Sequence, residues 1–249
     1  MKPLIEFKNV SKEYKRGERV FYALKDVNLT INGGEMVVVL GPSGAGKSTL
    51  LNLLGGMDSA SSGEILFDDK DLTTFTDNQL TDYRAKNVGV VFQFYNLIPT
   101  LTAYENVALM KDLESTSHKF KKKSEVSDEE TSFDPKGALE SVGLGDHMHQ
   151  FPSQLSGGEQ QRTSIARALA KNPKILLCDE PTGALDTETG REVLDLLQKM
   201  SKEKGRTVIM VTHNSSFADI ADRVIRVRNG SISSITENPN PISANEVSW

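Results

Sequence analysis

The chain has 249 residues, of which 25% are charged and 37% apolar, and carries a formal net charge of −5. Such a chain can bury a real core as one large domain or two closely joined lobes, and its acidic balance speaks against a nucleic-acid partner. Its one cysteine, Cys178, excludes an internal disulfide framework, no apolar run approaches the ~20 residues of a bilayer span, and residues 1–6 lack the apolar core of a signal peptide, so any work at a membrane is expected to depend on another chain.

β-Branched runs at 4–10, 20–24 and 27–31, separated by short turns such as Asn32-Gly33-Gly34, predict an antiparallel sheet at the start. The apolar run 36–40 predicts a buried strand, and it leads directly into Gly41-Pro42-Ser43-Gly44-Ala45-Gly46-Lys47-Ser48. A helix is predicted at 47–57, with Leu50, Leu51, Leu53, Leu54 and Met57 at helical spacing. A strand that ends in a glycine-rich turn and feeds a helix aims several backbone N–H groups, and the positive end of the helix, at one point where a polyphosphate fits. Gly41 to Ser48, with Thr49 behind them, are therefore the candidate cradle for a nucleoside triphosphate. In it Lys47 reaches the β- and γ-phosphates and Ser48 offers its hydroxyl to Mg²⁺.

Further along, strands are predicted at 63–67 and 88–92 and helices at 77–84, 101–110 and 136–142. Between them, 111–135 is too polar to hold itself in a core and is expected to be a solvated loop or a docking insertion. A helix at 157–171 begins in Leu155-Ser156-Gly157-Gly158-Glu159-Gln160-Gln161-Arg162, whose serine and two glycines leave N–H groups open at a helix start. One chain has no use for two γ-phosphate cradles, whereas a dimer does if each chain caps the nucleotide held by the other.

The strand predicted at 174–178 runs into the adjacent carboxylates Asp179 and Glu180. Alternation sends neighbouring strand side chains to different sides, so Asp179 is assigned to Mg²⁺ and Glu180 to polarising an attacking water as general base. A phosphate-binding loop alone would equally suit a kinase or a GTPase; the acid pair favours ATP hydrolysis. Cys178, in the apolar run before the pair, is expected to be a buried structural thiol. A helix at 188–203 and strands at 207–212, 223–228 and 231–235 complete the pattern, and the Pro- and Asn-rich tail 236–249 is expected to fray. Strands alternating with helices predict an α/β fold on a mainly parallel core sheet.

In this order the motifs resemble those of the ABC-transporter ATPases, and the resemblance covers essentially the whole chain. Walker A is at 41–48, Walker B at 175–180 and the signature at 155–162; Gln93 matches the Q-loop, Asp186 the D-loop and His213 the switch histidine. The resemblance implies that Tyr14 stacks on adenine, that Gln93 touches Mg²⁺ or the attacking water, and that Lys47, Gln93, Glu180 and His213 form the catalytic set. Ser156, Gly157, Gly158 and Asp186 are then expected at the nucleotide of a second copy. The family also implies an N-terminal antiparallel subdomain and a helical subdomain at about 94–165, inside an ATPase domain spanning 1–235.

The segments 92–107 and 179–186 resemble the MacB/LolD group, which implies a separate membrane permease of MacB or FtsX type and a place at the cytoplasmic face of the membrane. Export, peptide resistance, lipoprotein release and mechanical signalling to an extracytoplasmic hydrolase all remain open. A soluble ABC ATPase of ribosomes or DNA is disfavoured, because the chain has neither a second cassette nor coiled-coil insertions. The stretch 92–102 is expected to couple nucleotide to permease, with the apolar residues after Gln93, namely Phe94, Tyr95, Leu97 and Ile98, facing outward to dock; core packing is the alternative reading of the same four. Two departures stand out: Asn214 follows the switch histidine where the family has Asp, and 111–135 is longer than usual.

Overall fold

A computed structural model describes residues 3–17, 19–118 and 134–248. Most of the expected polar insertion, 119–133, and Trp249 lie outside the described residues. The first half runs β1 (Pro3–Arg16), β2 (Arg19–Asn32), β3 (Met36–Leu40), α1 (Lys47–Leu54), β4 (Ser62–Phe67), β5 (Lys70–Asp71), α2 (Asp77–Asn87), β6 (Val88–Phe92) and α3 (Ala103–His118). The second runs α4 (Pro135–Ser141), α5 (Gly157–Leu169), β7 (Ile175–Asp179), α6 (Thr187–Lys202), β8 (Thr207–Thr212), β9 (Arg223–Arg228) and β10 (Ser231–Glu237). Among the described residues the strands form two sheets, an antiparallel one ordered β2-β1-β4-β5 and a larger one ordered β10-β9-β3-β8-β7-β6. The larger sheet is parallel from β9 to β6, with β10 added antiparallel at its edge.

Period-2 alternation explains why the central strands are apolar throughout. On β3, Met36, Val38 and Leu40 enter one core with the helices α3 to α6, while Val37 and Val39 enter a second with α1 and the antiparallel sheet. On β7, Leu176 and Cys178 face the first core and Ile175 and Leu177 the second. A strand buried on both faces reads as a continuous hydrophobic run.

Cys178 is fully buried, and burial followed by the charge of Asp179 pushes its thiol far above the ordinary range. Only thiolate reacts, so a small alkylating reagent should leave the native chain unmodified and label Cys178 fully in denaturant. Labelling at equal rates in both states would contradict this burial.

Four elements differ from the sequence expectation, and the first is α3, which runs on to His118 into the stretch expected as a loop from 111, because 111–118 holds no glycine or proline to end it. The strands expected at 20–24 and 27–31 are one strand, because β1 and β2 pair along their whole length with register shifts that absorb the polar residues between. Helix α1 stops at Leu54 rather than continuing to Met57, because Gly55 and Gly56 end it. The segment after β10 does not fray: Ala244 and Val247 are buried in the helix-side core. The Gln198 amide donates to the Ile220 and Ile242 carbonyls and accepts from the Ala244 N–H, and Arg191 donates to the Val247 carbonyl. Tail composition signalled a loop; two small apolar side chains and the polar side of α6 hold it down.

Candidate nucleotide-binding site

In an open parallel sheet, ligands gather at the carboxyl ends of the strands. Here four such ends lie in register: Leu40 beside Thr212, Val211 beside Asp179, and Asp179 beside Phe92. Each is followed at once by a candidate group, namely the glycine loop after β3, Glu180 after β7, His213 after β8 and Gln93 after β6. Together they border a cleft of about 650 Å³, lined also by Tyr14, Ser43, Gly44, Gly46, Lys47, Ser48, Thr49 and Asp179.

The loop has the shape its sequence requires. Gly46 is the residue before α1 and sits at φ 106°, where a Cβ would come within 2.4 Å of the Ala23 carbonyl oxygen. Glycine is demanded there both by conformation and by contact with β2. Lys47 is largely buried, with Nζ donating to the carbonyls of Gly41 (2.8 Å) and Pro42 (3.2 Å) across the loop. Ala45 is buried beneath the loop, which leaves the exposed side to backbone groups.

Ser48 donates toward Asp179 Oδ2 at 3.4 Å, so hydroxyl and carboxylate face one another at the start of α1. Burial, and after it the charge of Glu180, raises the Asp179 carboxyl above its ordinary value, against smaller opposing effects of Ser48 and Lys47. Glu180 has left-handed backbone, φ 47°, a conformation that costs a non-glycine residue on the order of 1–3 kcal/mol. Its carboxylate is held by three donors: Thr212 Oγ1 at 2.9 Å on one oxygen, and the His213 N–H at 3.0 Å with His213 Nδ1 at 2.8 Å on the other. The switch histidine and the acid are thus one unit. Asn214 accepts from the Ser216 N–H at the start of a short 3-10 turn, a capping task that Asn performs as well as Asp.

The expected second cradle lies elsewhere. Ser156 caps α5 in a box with Glu159, and neither it, Gly157, Gly158 nor Asp186 borders the cleft. Asp186 caps α6 by accepting from Thr189, which holds its carboxyl below the usual value. Gly158 packs against the same threonine: a Cβ there would lie 2.1 Å from Thr189 Cγ2. The structure therefore gives Gly158 a packing reason to be glycine inside its own chain, which the sequence did not disclose.

Several residues that shape the site carry no motif. Phe21 borders the cleft and pairs directly with Tyr14 across β1 and β2; the register reveals it only once the hairpin is known. Gln161 of α5 is fully buried and donates to the carbonyls of Phe92 and Pro181, the residues next to Gln93 and Glu180. Arg167, one and a half turns on, donates to the Tyr95 and Asn96 carbonyls. The signature helix thus grips the backbone on both sides of the Q-loop. Tyr95 and Leu97, expected to face outward, are half-buried; Phe94 and Ile98 are the exposed members, at 72% and 42%. Tyr95 turns inward because its own φ is 52° and its hydroxyl packs against Gly157.

Strand, glycine loop and helix, with an acid pair on the neighbouring strand end, define a P-loop nucleoside-triphosphatase. Residues 24–183 match the ABC transporter family model, and the chain belongs to that family as an ATP-hydrolysing cassette. It is 46% identical to the ABC transporter ATP-binding protein MJ0796 of Methanocaldococcus jannaschii over 233 residues, 92% of this chain and 95% of that protein. It is 43% identical to the macrolide export ATP-binding/permease protein MacB of Pasteurella multocida over 248 residues, which are 98% of this chain but 36% of MacB. The solved dimer of MJ0796 in a post-hydrolysis state with ADP and Pi superposes with a TM-score of 0.78 at 43% identity, covering 94% of this chain and 98% of that one.

Proposed function

We propose that the chain is the energising subunit of a transporter with a MacB- or FtsX-type permease, placed by that permease at the cytoplasmic face of the membrane. Two copies close head to tail on two ATP molecules. The observation that carries this is the division of the phosphate-binding groups into a cleft on one side and a cradle, Ser156 to Gly158, that does not border it. The dimer described for MJ0796 and the joining of cassette and permease in MacB support the same arrangement.

In this reading the loop N–H groups and Lys47 hold the β- and γ-phosphates, and Tyr14 supports the adenine. Ser48 and Asp179 present the hard oxygen donors that Mg²⁺ takes, and a cation held there would favour the charged carboxylate against the burial and the Glu180 charge that raise Asp179. Gln93 completes that side of the site. Mg²⁺ supplies neutralisation of phosphate charge. Glu180 takes the proton of the attacking water, and His213, bonded to the same carboxylate, holds it in place. Partner Ser156, Gly157 and Gly158 approach the γ-phosphate from across the interface, with Asp186 beside them.

Lys47→Ala tests the phosphate assignment: loss of a charge-assisted hydrogen bond is worth about 1.5–3 kcal/mol, so ATP affinity should fall roughly 10- to 150-fold in a calorimetric titration. Unchanged affinity would remove Lys47 from the phosphate site. The permease assignment rests on the apolar patch of Ile98, Tyr104 and Phe151, all exposed. Backbone bonds from Ala103 to Gln150 and from Tyr104 to Met148 bring its parts together. The buried Asn106 amide pins its loop by bonding the Ile98, Leu101 and Thr102 backbone. Ile98→Ser with Tyr104→Ser should leave ATP hydrolysis by the isolated subunit within about twofold, since surface changes of this kind rarely exceed ±0.5 kcal/mol. Recovery of the subunit with membranes should drop sharply. Undiminished membrane recovery would move the permease contact to another surface.

A further inference from the structure

We infer that Asp58 and Lys12 are positioning residues for the nucleobase, setting the angle and depth of the Tyr14 ring on which adenine rests. The inference builds on the assignment of Tyr14 as the base platform. Tyr14 is exposed, at 43%, near the turn end of the long hairpin of β1 and β2, and its hydroxyl is within reach of Thr49 as well as Asp58. Asp58 lies just beyond α1, on the same stretch that carries the phosphate loop.

Its carboxylate accepts from Tyr14 Oη at 2.7 Å through one oxygen and from Lys12 Nζ at 2.5 Å through the other. Lys12 is tied down in turn by the Ser59 carbonyl at 2.8 Å, and its ammonium sits 4.9 Å from the centre of the Tyr14 ring. One face of the ring is thereby occupied by a cation in a favourable position over the π-system. Tyr14 and its cross-strand neighbour Phe21 both border the cleft, where a base would stack.

Hydroxyl and ring are thus fixed from two directions before any base arrives. The anchor belongs to the segment that follows the phosphate-binding helix, so the distance from phosphate cradle to base platform is set by side chains rather than by the hairpin alone. Preorganisation of this kind lowers the cost of ordering a group on binding. The phenol is also raised above its ordinary value, chiefly by the bond to Asp58, in keeping with its role as donor in that bond.

The test is Mg²⁺-supported binding of ATP and of inorganic tripolyphosphate, which has no base, to the full chain and its variants. Loss of stacking on an aromatic ring weakens binding by roughly 5- to 150-fold, so Tyr14→Ala should lower ATP affinity within that range and leave tripolyphosphate within about twofold. Asp58→Ala and Tyr14→Phe should each cost ATP about fivefold and spare tripolyphosphate. Their combination should cost no more than Asp58→Ala alone, because the one Asp58 hydrogen bond lost in Tyr14→Phe is among those that Asp58→Ala removes. Asp58→Asn, which still accepts from Tyr14, should recover much of the loss, and Lys12→Met should resemble Asp58→Ala. Equal loss of ATP and tripolyphosphate in Asp58→Ala would mean a structural effect on the loop and would overturn the inference. Wild-type ATP affinity in Asp58→Ala with a weakened Tyr14→Ala would overturn the positioning role alone. A harmless Tyr14→Ala would remove the platform and the positioning role with it.

Discussion

Replacing Glu180 with Gln should leave ATP bound and turnover almost absent, a fall of roughly 10²–10⁴-fold, the usual worth of a positioned general base. The local geometry accommodates the amide. Its oxygen can keep the His213 N–H, and its NH₂ can face Thr212 Oγ1, whose hydroxyl accepts as readily as it donates. The left-handed backbone at residue 180 is as accessible to Gln as to Glu, so the variant should fold and melt near the wild type. What disappears is an oxygen basic enough to take the proton of the attacking water. Closed dimers should accumulate, since two chains proposed to close on two ATP molecules have no hydrolysis step left to remove the γ-phosphates that hold them together. Phosphate release measured beside equilibrium ATP binding decides the matter: release within a few-fold of wild type would show that Glu180 is not the base.

A comparable loss is expected from Ser156→Asp. Aspartate caps a helix as well as serine does, so α5 should keep its start, which a melt beside the wild type checks. A carboxylate at the cradle instead repels the γ-phosphate brought by the partner, and losing one such donor costs roughly 10²–10³-fold in turnover. ATP binding to a single chain should be unaffected, because Ser156 lies outside the cleft. A bulky change at Gly158 would be a poorer probe, since a Cβ there strikes Thr189, whose rotamer is fixed by Asp186. Mixing Ser156→Asp with Lys47→Ala then tests the geometry. In the heterodimer one composite site has both Lys47 and Ser156 intact, and the other has neither. Random pairing in a symmetric dimer should restore roughly a quarter of wild-type activity. Two inactive variants that never complement would argue that Ser156 acts within its own chain.

The strand–loop–helix at 36–54, the acid pair after β7 and the capped start of α5 were legible because each is written in a few consecutive residues. Backbone conformation at a glycine, alternation along a strand and a serine at a helix start are local effects, and they predict the same structure in almost any surroundings. The α/β class followed for the same reason, from the order of short apolar runs and helical spacing. Boundaries were less secure where a side chain's fate depends on a neighbour. Met57 has helical spacing, yet Gly55 and Gly56 cut the helix before it. The tail reads as loop, yet Ala244 and Val247 find a slot along α6.

By itself, then, the sequence determined a glycine loop between a strand and a helix, an acid pair at a strand end, and a helix start built from a serine and two glycines. Tertiary structure decided what surrounds those groups. It joined Glu180 to His213, placed Asp58 and Lys12 on Tyr14, clasped the Q-loop with Gln161 and Arg167, and turned Tyr95 inward while leaving Ile98 exposed. Apart from Lys12, which lies two residues before Tyr14, these contacts join residues 33 to 72 positions apart, as for Glu180 with His213 and Arg167 with Tyr95. Over such separations no propensity or spacing says which side chains will meet; the packing of two cores against one sheet does.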